Sequence, residues 1–459
     1  MADSRRSPPA DATADPRVLQ AVFDALARAL PRGGRVAVAL SGGRDSMALL
    51  DATVRAAPAA EVDVCAFHVH HGLSANASAW ADFCREACAG AGVPLAVREV
   101  VVAQARAFGV EAAARRARYV ALADLAREHR VDAVLLAHHA DDQAETTLLQ
   151  LLRGAGPRGL AAMPDVRVAD GVTWLRPLLG LSRGALEAYV ARRALRHVDD
   201  ESNDDTRHRR NALRAEVVPA LRALAPAYPA PLLRAARHQA EAAALLDDLA
   251  AIDARSIREG ATLDRDALVA LPAPRARNLL RWFLRHHGLR APSTARLADM
   301  LRQFGQAHAD ARLAIAHAGC VLGLHRSRIV LYTRAPADYR AAWTGSGAVQ
   351  LPHGTLAFAG ARGTGIAARH LAACAVTIRA GARGERLRPA GRQARRAVAD
   401  LLREAGVPHW ERLALPRVYC GDALAAVPFA GIDAAFAASA DEPGFVLVWH
   451  PRPDARPML

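Results

Sequence analysis

Between Val36 and Leu50 an apolar run of strand character, Val36-Ala37-Val38-Ala39-Leu40, breaks at Ser41-Gly42-Gly43-Arg44-Asp45-Ser46 and resumes with helical period. A strand that ends in a glycine turn and opens a helix aims several backbone N–H groups at one point. The helix dipole adds partial positive charge there, so the geometry favours a polyphosphate. The turn lacks the Gly-Lys-Ser/Thr of a Walker A loop; the chain has no lysine, and all 60 of its Lys+Arg residues are arginines. Glycines alone would serve any tight turn, but six specified positions exceed what a turn needs. A carboxylate inside an anion site repels its guest unless a cation lies between them. Asp45 therefore points to Mg²⁺ bridging to phosphate, a role compatible with capping the following helix.

The pattern continues downstream. We expect a helix over 16–30, a strand over 35–40 and a helix over 46–57. Strand 61–69, helix 75–90, strand 95–102, helix 110–129, strand 131–137 and helix 141–153 follow. Short apolar strands alternating with helices predict an α/β fold with a doubly wound parallel sheet. Ligands of such sheets sit beyond the carboxyl ends of the strands, which brings three loops together: Ser41–Ser46, His68–Leu73 and His138–Glu145.

In the third loop Asp142 and Glu145 lie three apart on one helix face, suited to a substrate ammonium or Mg²⁺, although acids also favour the first turn of any helix. His68-Val69-His70-His71 suggests zinc. However, neighbouring histidines on a strand end face opposite sides, and no cysteine or acid follows at metal-ligand spacing. Nucleotide contact at the strand end is the expectation instead. Arg115 and Arg118 share a helix face, which serves either to hold phosphate or a base, or as a solvated basic surface.

Beyond this region Ser182-Arg183 starts a helix. A polar tract, His197 to Arg210, leads to another near Asn211. A long helix is expected over 228–259, two helices within 262–305 split by Gly288–Pro292, and short strands over 312–333. An Ala/Gly-rich linker covers 335–350, and 351–450 mixes strands with a helix at 393–405. The implied organisation is a disordered tail (1–15), a catalytic domain (16–225), a mainly helical tRNA-binding domain (226–340) and a small α+β tRNA-binding C-terminal domain (350–450). A net charge of +14 favours a polyanionic partner, nucleic acid before membrane, even if arginine abundance also reflects genome composition. No uninterrupted apolar stretch reaches the roughly 18 residues of a membrane span. The N-terminal segment lacks a secretory core, and six cysteines in 459 residues are no disulfide framework. A cytoplasmic location is the default expectation.

Together the blocks SGGRDS (41–46), HVHHGL (68–73), GVEAAARRARY (109–119), HHADDQAETTLLQLLRGAGPRGLAAM (138–163), LRPLLGLSR (175–183) and DDESNDDTRHRRNALR (199–214) resemble the tRNA(Ile)-lysidine synthetase family of N-type ATP pyrophosphatases. GERLRPAGRQARRAVADLLREAGVPHWER (384–412) is similar to that family's last domain. His70 departs from the pattern, where relatives commonly carry a smaller polar residue. So does the 203–210 tract, with histidine and arginine in place of an aromatic or acidic residue.

The resemblance implies a PP-loop ATPase domain, adenine nucleotide alpha hydrolase-like, and a two-step reaction using ATP and Mg²⁺. O2 of the wobble cytidine in an isoleucine tRNA with a CAU anticodon attacks the α-phosphate and releases pyrophosphate. The ε-amine of free L-lysine then attacks C2 and expels AMP, leaving lysidine, which pairs with adenine. By the same resemblance Ser41, Gly42, Gly43, Arg44, Asp45, Ser46 and His68 hold ATP, and Asp45 binds Mg²⁺. Asp142 and Glu145 hold lysine, while Arg115 and Arg118 stabilise the reacting phosphate or base. Arg209, Arg210, Asn211, Arg214, Arg392, Arg395 and Arg396 contact tRNA, and a homodimer is possible.

Two other readings stay open. A tRNA thiolase on the same loop needs reactive cysteines, often as Cys-x-x-Cys; here Cys84 and Cys88 lie one helical turn apart. A non-catalytic tRNA-binding protein retaining the loop as a relic is the other.

Overall fold

The computed structural model describes residues 16–70, 72, 76–100, 110–199, 206–207, 209–308, 311–336 and 338–452. The expected N-terminal tail, His71 and Leu73 of the second loop, and most of the 200–208 tract lie outside the described residues. The chain divides into two compact units, residues 1–245 and 246–459.

The first unit is built on six strands: β1 (Arg35–Ala39), β2 (Asp63–His70), β3 (Leu95–Glu99), β4 (Ala133–Leu135), β5 (Val166–Ala169) and β6 (Val172–Leu175). Their order is β3-β2-β1-β4-β6-β5, parallel except for β5, which runs antiparallel to β6. Successive residues of β1 serve two cores. Val36 and Val38 pack with Leu26, Leu49 and Ala52, while Ala37 joins Phe67, Leu122, Leu125 and Trp174. Both faces of the sheet are thus covered by helices, as parallel sheets require. Each fully buried leucine contributes about 1.5–3 kcal/mol relative to exposure.

The expected strands at 95–102 and 131–137 are shorter, and the β5–β6 hairpin was not anticipated. Its signal was present: Asp170 (φ 55°) and Gly171 (φ 74°) form a two-residue Asp-Gly turn. Val166 and Val168 on the edge strand are exposed, which hid the strand's alternation.

In the second unit, Ala273–His286 and Thr294–Gln306 match the two expected helices, and a third short one, Arg265–Ala270, precedes them. Pro272 separates the first two, since a residue before proline leaves helical backbone. Leu279, Leu280, Phe283, Met300 and Phe304 pack against a five-stranded antiparallel sheet. In order its strands are Arg258–Glu259, Thr262–Asp264, Arg328–Tyr332, Cys320–His325 and Ala314–His317. The middle region is therefore helix on sheet.

Two further antiparallel sheets, of five and four strands, pack around Trp343, Leu356, Ile378 and Val418, and a two-stranded sheet lies beside them in sequence. The expected linker at 335–350 contains a strand, Arg340–Trp343, paired with Val376–Arg379. The helix expected at 393–405 is Val398–Glu404, because Arg396–Ala397 pairs with Arg386–Leu387 instead of continuing it.

Candidate active site

At the end of β1 the chain is knotted by two serines. The Ser41 amide and hydroxyl donate to Ser46 Oγ at 3.2 and 3.1 Å, and Ser46 Oγ donates to the Gly43 carbonyl at 2.8 Å. Gly42 holds φ +84°, and a Cβ there would meet Val198 Cγ2 at 3.1 Å and Cys84 Sγ at 3.3 Å. The Val198 amide donates to Gly42 O at 3.0 Å, so a residue far along the chain closes the turn. Helix Arg44–Ala60 begins without a side-chain cap. Its first amides are therefore open to an anion.

The loop faces a cavity of about 400 Å³, whose lining includes Ser41, Asp45, Ser46, His68, Arg118 and His138. Arg44 bonds Glu187 Oε1 at 2.8 Å and reaches Asp45 Oδ1 at 3.5 Å. His68 is buried, with Nδ1 2.9 Å from Leu40 O, which fixes the proton on that nitrogen. Arg118 is half-buried on the cavity wall, and burial beside Arg115 and Arg210 opposes its charge. A bound polyphosphate offsets that kind of cost. Arg115 instead lies exposed over the Tyr119 ring, 5.2 Å from its centroid. The shared helix face therefore has one inward and one outward arginine.

His139, at the head of helix Ala140–Leu152, links the loops. Its Nε2 lies 3.6 Å from both Asp45 Oδ2 and Asp142 Oδ2, and Nδ1 is 3.6 Å from Asp141 Oδ2. Burial disfavours its charge, but Asp141, Asp45 and Asp142 more than reverse this, raising its pKa to about 10. Nδ1 accepts from the Asp141 amide at 3.2 Å, which caps the helix. Asp45 is held below the usual carboxylate range: burial works against its charge, and His139 and Arg44 outweigh it.

The neighbouring His138 behaves oppositely. Burial lowers its pKa to about 3, with Arg176, Arg115 and Arg118 adding to the effect and Asp142 opposing it. Among the described residues its Nδ1 has no hydrogen-bond partner. Neither histidine was singled out from sequence, although adjacent histidines preceding Asp-Asp at a helix start are visible there.

Asp142 and Glu145 share a face as expected, but they are not alone. Arg214 Nε donates to Glu145 Oε1 at 2.6 Å and Nη2 to Asp142 Oδ1 at 3.0 Å. Arg210 Nη2 donates to Thr146 Oγ1 at 2.7 Å, with Nε 3.4 Å from Glu145 Oε2. Residues assigned to two different ligands thus form one cluster, while Arg209 is exposed and Asn211 half-buried. In the second unit Arg392 and Arg395 are exposed on the loop above the Arg386–Leu387 hairpin, and Arg396 pairs with Glu404 at 2.8 Å.

Asp45 is the carboxylate beside the loop that suits Mg²⁺. Among the described residues no group of three or more His, Cys, Asp or Glu side chains forms a cage. A single carboxylate fits an ion that takes its remaining ligands from phosphates and water. No helix among the described residues is long and apolar enough to cross a membrane.

Comparison with known proteins agrees along the chain. Residues 16–221 match the PP-loop domain, 263–332 the TilS substrate binding domain and 376–449 the TilS substrate C-terminal domain. A tRNA(Ile)-lysidine synthase from Burkholderia pseudomallei is 42% identical over 92% of this chain and 95% of that relative. Another from Chromobacterium violaceum is 43% identical over 92% and 95%. A third, from Nitrosomonas europaea, is 36% identical over 98% of each.

Proposed function

The chain belongs to the tRNA(Ile)-lysidine synthase family, and from that premise we propose how its residues divide the reaction. The observation that carries the proposal is the uncapped helix start behind the Ser41–Ser46 knot, facing the same cavity as Arg118 and His138. ATP lies with its phosphates on the amides of residues 43–46. Asp45 would hold Mg²⁺, whose charge would offset that of the phosphates. Arg118 steadies the α-phosphate as O2 of the wobble cytidine of the CAU anticodon attacks it. An oxygen on a pyrimidine ring is a poor leaving group, and adenylation makes it a good one. Free L-lysine, held by the acidic pair Asp142 and Glu145, then attacks C2 as a neutral amine and expels AMP. The readout is mass spectrometry of tRNA nucleosides after incubation with ATP, Mg²⁺ and lysine. A cytidine heavier by one lysine minus water is expected; unmodified cytidine with no AMP release refutes the reading.

The buried cysteines argue against sulfur transfer. Burial pushes Cys84 up to about 12, with Cys88 adding to the effect, and burial pushes Cys88 to about 11. Both therefore stay as unreactive thiols. The exposed arginines Arg209, Arg392 and Arg395 suit phosphate contact. Affinity for isoleucine tRNA should fall by roughly two to three orders of magnitude between about 50 and 200 mM salt. A flat titration by filter binding would remove the electrostatic part.

A further inference from the structure

We infer that the main-chain amide of Val198 is a positioning group for ATP: it locks the Gly42–Gly43 peptide so that its N–H, and not its carbonyl, faces the phosphates. This rests on the proposed seating of the phosphates on the amides of residues 43–46. The Val198 amide donates to Gly42 O at 3.0 Å, and Gly43 and Val198 form a parallel bridge. Gly42 O and the Gly43 N–H belong to one peptide, in which they point opposite ways. Fixing the carbonyl on Val198 therefore turns the Gly43 N–H toward Ser41 Oγ, 3.4 Å away on the cavity wall. With glycine on both sides, rotation of this peptide meets little steric resistance. A rotated peptide would aim a carbonyl dipole at the anion and repel it. The serine knot does not hold that carbonyl, because Ser46 Oγ donates to the Gly43 carbonyl, one residue on.

A lock works only if its own anchor is fixed, and Val198 ends a segment pinned along its length. Helix Arg183–Arg192 opens with Ser182 as its cap and with the Arg183 amide on Asp141 Oδ2 at 2.9 Å. Glu187 takes Arg44 at 2.8 Å, Tyr189 donates its hydroxyl to Asp51, and Arg193 reaches both Asp51 oxygens at 3.3 Å. Arg44 and Asp51 belong to the helix that the phosphate loop opens. The space behind Gly42 is shared by Val198 Cγ2, Phe83 and Cys84. Residues 182–198 thus form a splint along the loop's own helix. The Val198 N–H is in place before nucleotide arrives, which reduces the entropy lost in ordering two glycines on binding.

The test replaces Val198 by its α-hydroxy acid in the full-length enzyme, an amide-to-ester change that removes the N–H and keeps the side chain. The KM for ATP should rise about tenfold, while kcat and the KM values for lysine and tRNA stay within about threefold. The same replacement at Val131 is the control for a merely structural bond. Its amide donates to Ala126 O at 3.0 Å ahead of β4, at the opposite end of the sheet. There the KM for ATP should stay within about twofold. On the wild type, ATP with Mg²⁺ and no tRNA should slow hydrogen exchange at the Val198 amide about tenfold, because coupling between a bond and a ligand is reciprocal. That measurement decides the matter even if the ester variant fails to fold. An equal rise in KM for ATP at Val131, parallel rises for lysine and tRNA, or exchange slowed at residues 43–46 but not at Val198 overturns the inference. Exchange slowed at neither place would count against the seating of ATP on this loop instead.

Discussion

Asp45→Asn should lower AMP release by roughly three orders of magnitude, the rate equivalent of about 4 kcal/mol of lost charge stabilisation. Its affinity for tRNA should stay within about twofold of wild type, since no phosphate-gripping arginine is removed. The amide is nearly isosteric, so it preserves the packing beside the Ser41–Ser46 knot and removes the charge. Capping of the helix is not at stake, because Gly43 is the N-cap residue and no side chain caps it. What is lost is an ionised carboxylate that His139 and Arg44 keep charged against the effect of burial. Pyrophosphate and AMP are to be measured with tRNA and lysine present. An Asn variant that cleaves ATP at the wild-type rate would dismiss Asp45 as the Mg²⁺ ligand. A wild type that never releases AMP would leave only a relic loop on a tRNA-binding protein.

The readable part of this molecule is the part whose information is local. Strand, glycine turn and helix follow one another within fifteen residues from Val36 to Leu50, so composition and period were enough to place the phosphate loop. The acid pair was equally legible, because i and i+3 share a face in any helix. Its partners were not. Arg214 lies 69 residues from Glu145 and 72 from Asp142, and nothing in an arginine's spacing says which way its side chain turns. Arg210 and Arg214 stand beside Arg209 in sequence, yet they turn to the acid helix while Arg209 is exposed. The same limit hid Val198 behind Gly42 and the strand at Arg340–Trp343, whose alanines carry little β signal although Trp343 is a core residue. His139 was missed for a different reason: its importance comes from three carboxylates converging from two loops, a feature of the fold and not of any motif.

That convergence makes His139→Leu the most destabilising single change expected in the site. The side chain is 4% exposed, and the carboxylates of Asp141 and Asp142 around it are 11% and 12% exposed. Removing one partner from a buried ionic cluster leaves the remaining charges unpaired, a loss of about 3–5 kcal/mol at pH 7. For a unit of this size that is a fall of roughly 10 °C in the unfolding midpoint. The pH dependence has a definite sign. A histidine whose folded pKa, here about 10, lies above its unfolded value of about 6.5 contributes stability that is whole below the unfolded pKa. That contribution is lost as pH rises through about 10. The gap between wild type and His139→Leu should therefore be large at pH 7 and narrow through that range. The chain is well suited to the measurement, because lysine, which normally titrates there, is absent. Denaturant unfolding of both proteins across the range provides the check. A gap of under about 1 kcal/mol at pH 7, or one that persists unchanged above the folded pKa, would mean that the three carboxylates do not depend on an imidazolium for their charge balance.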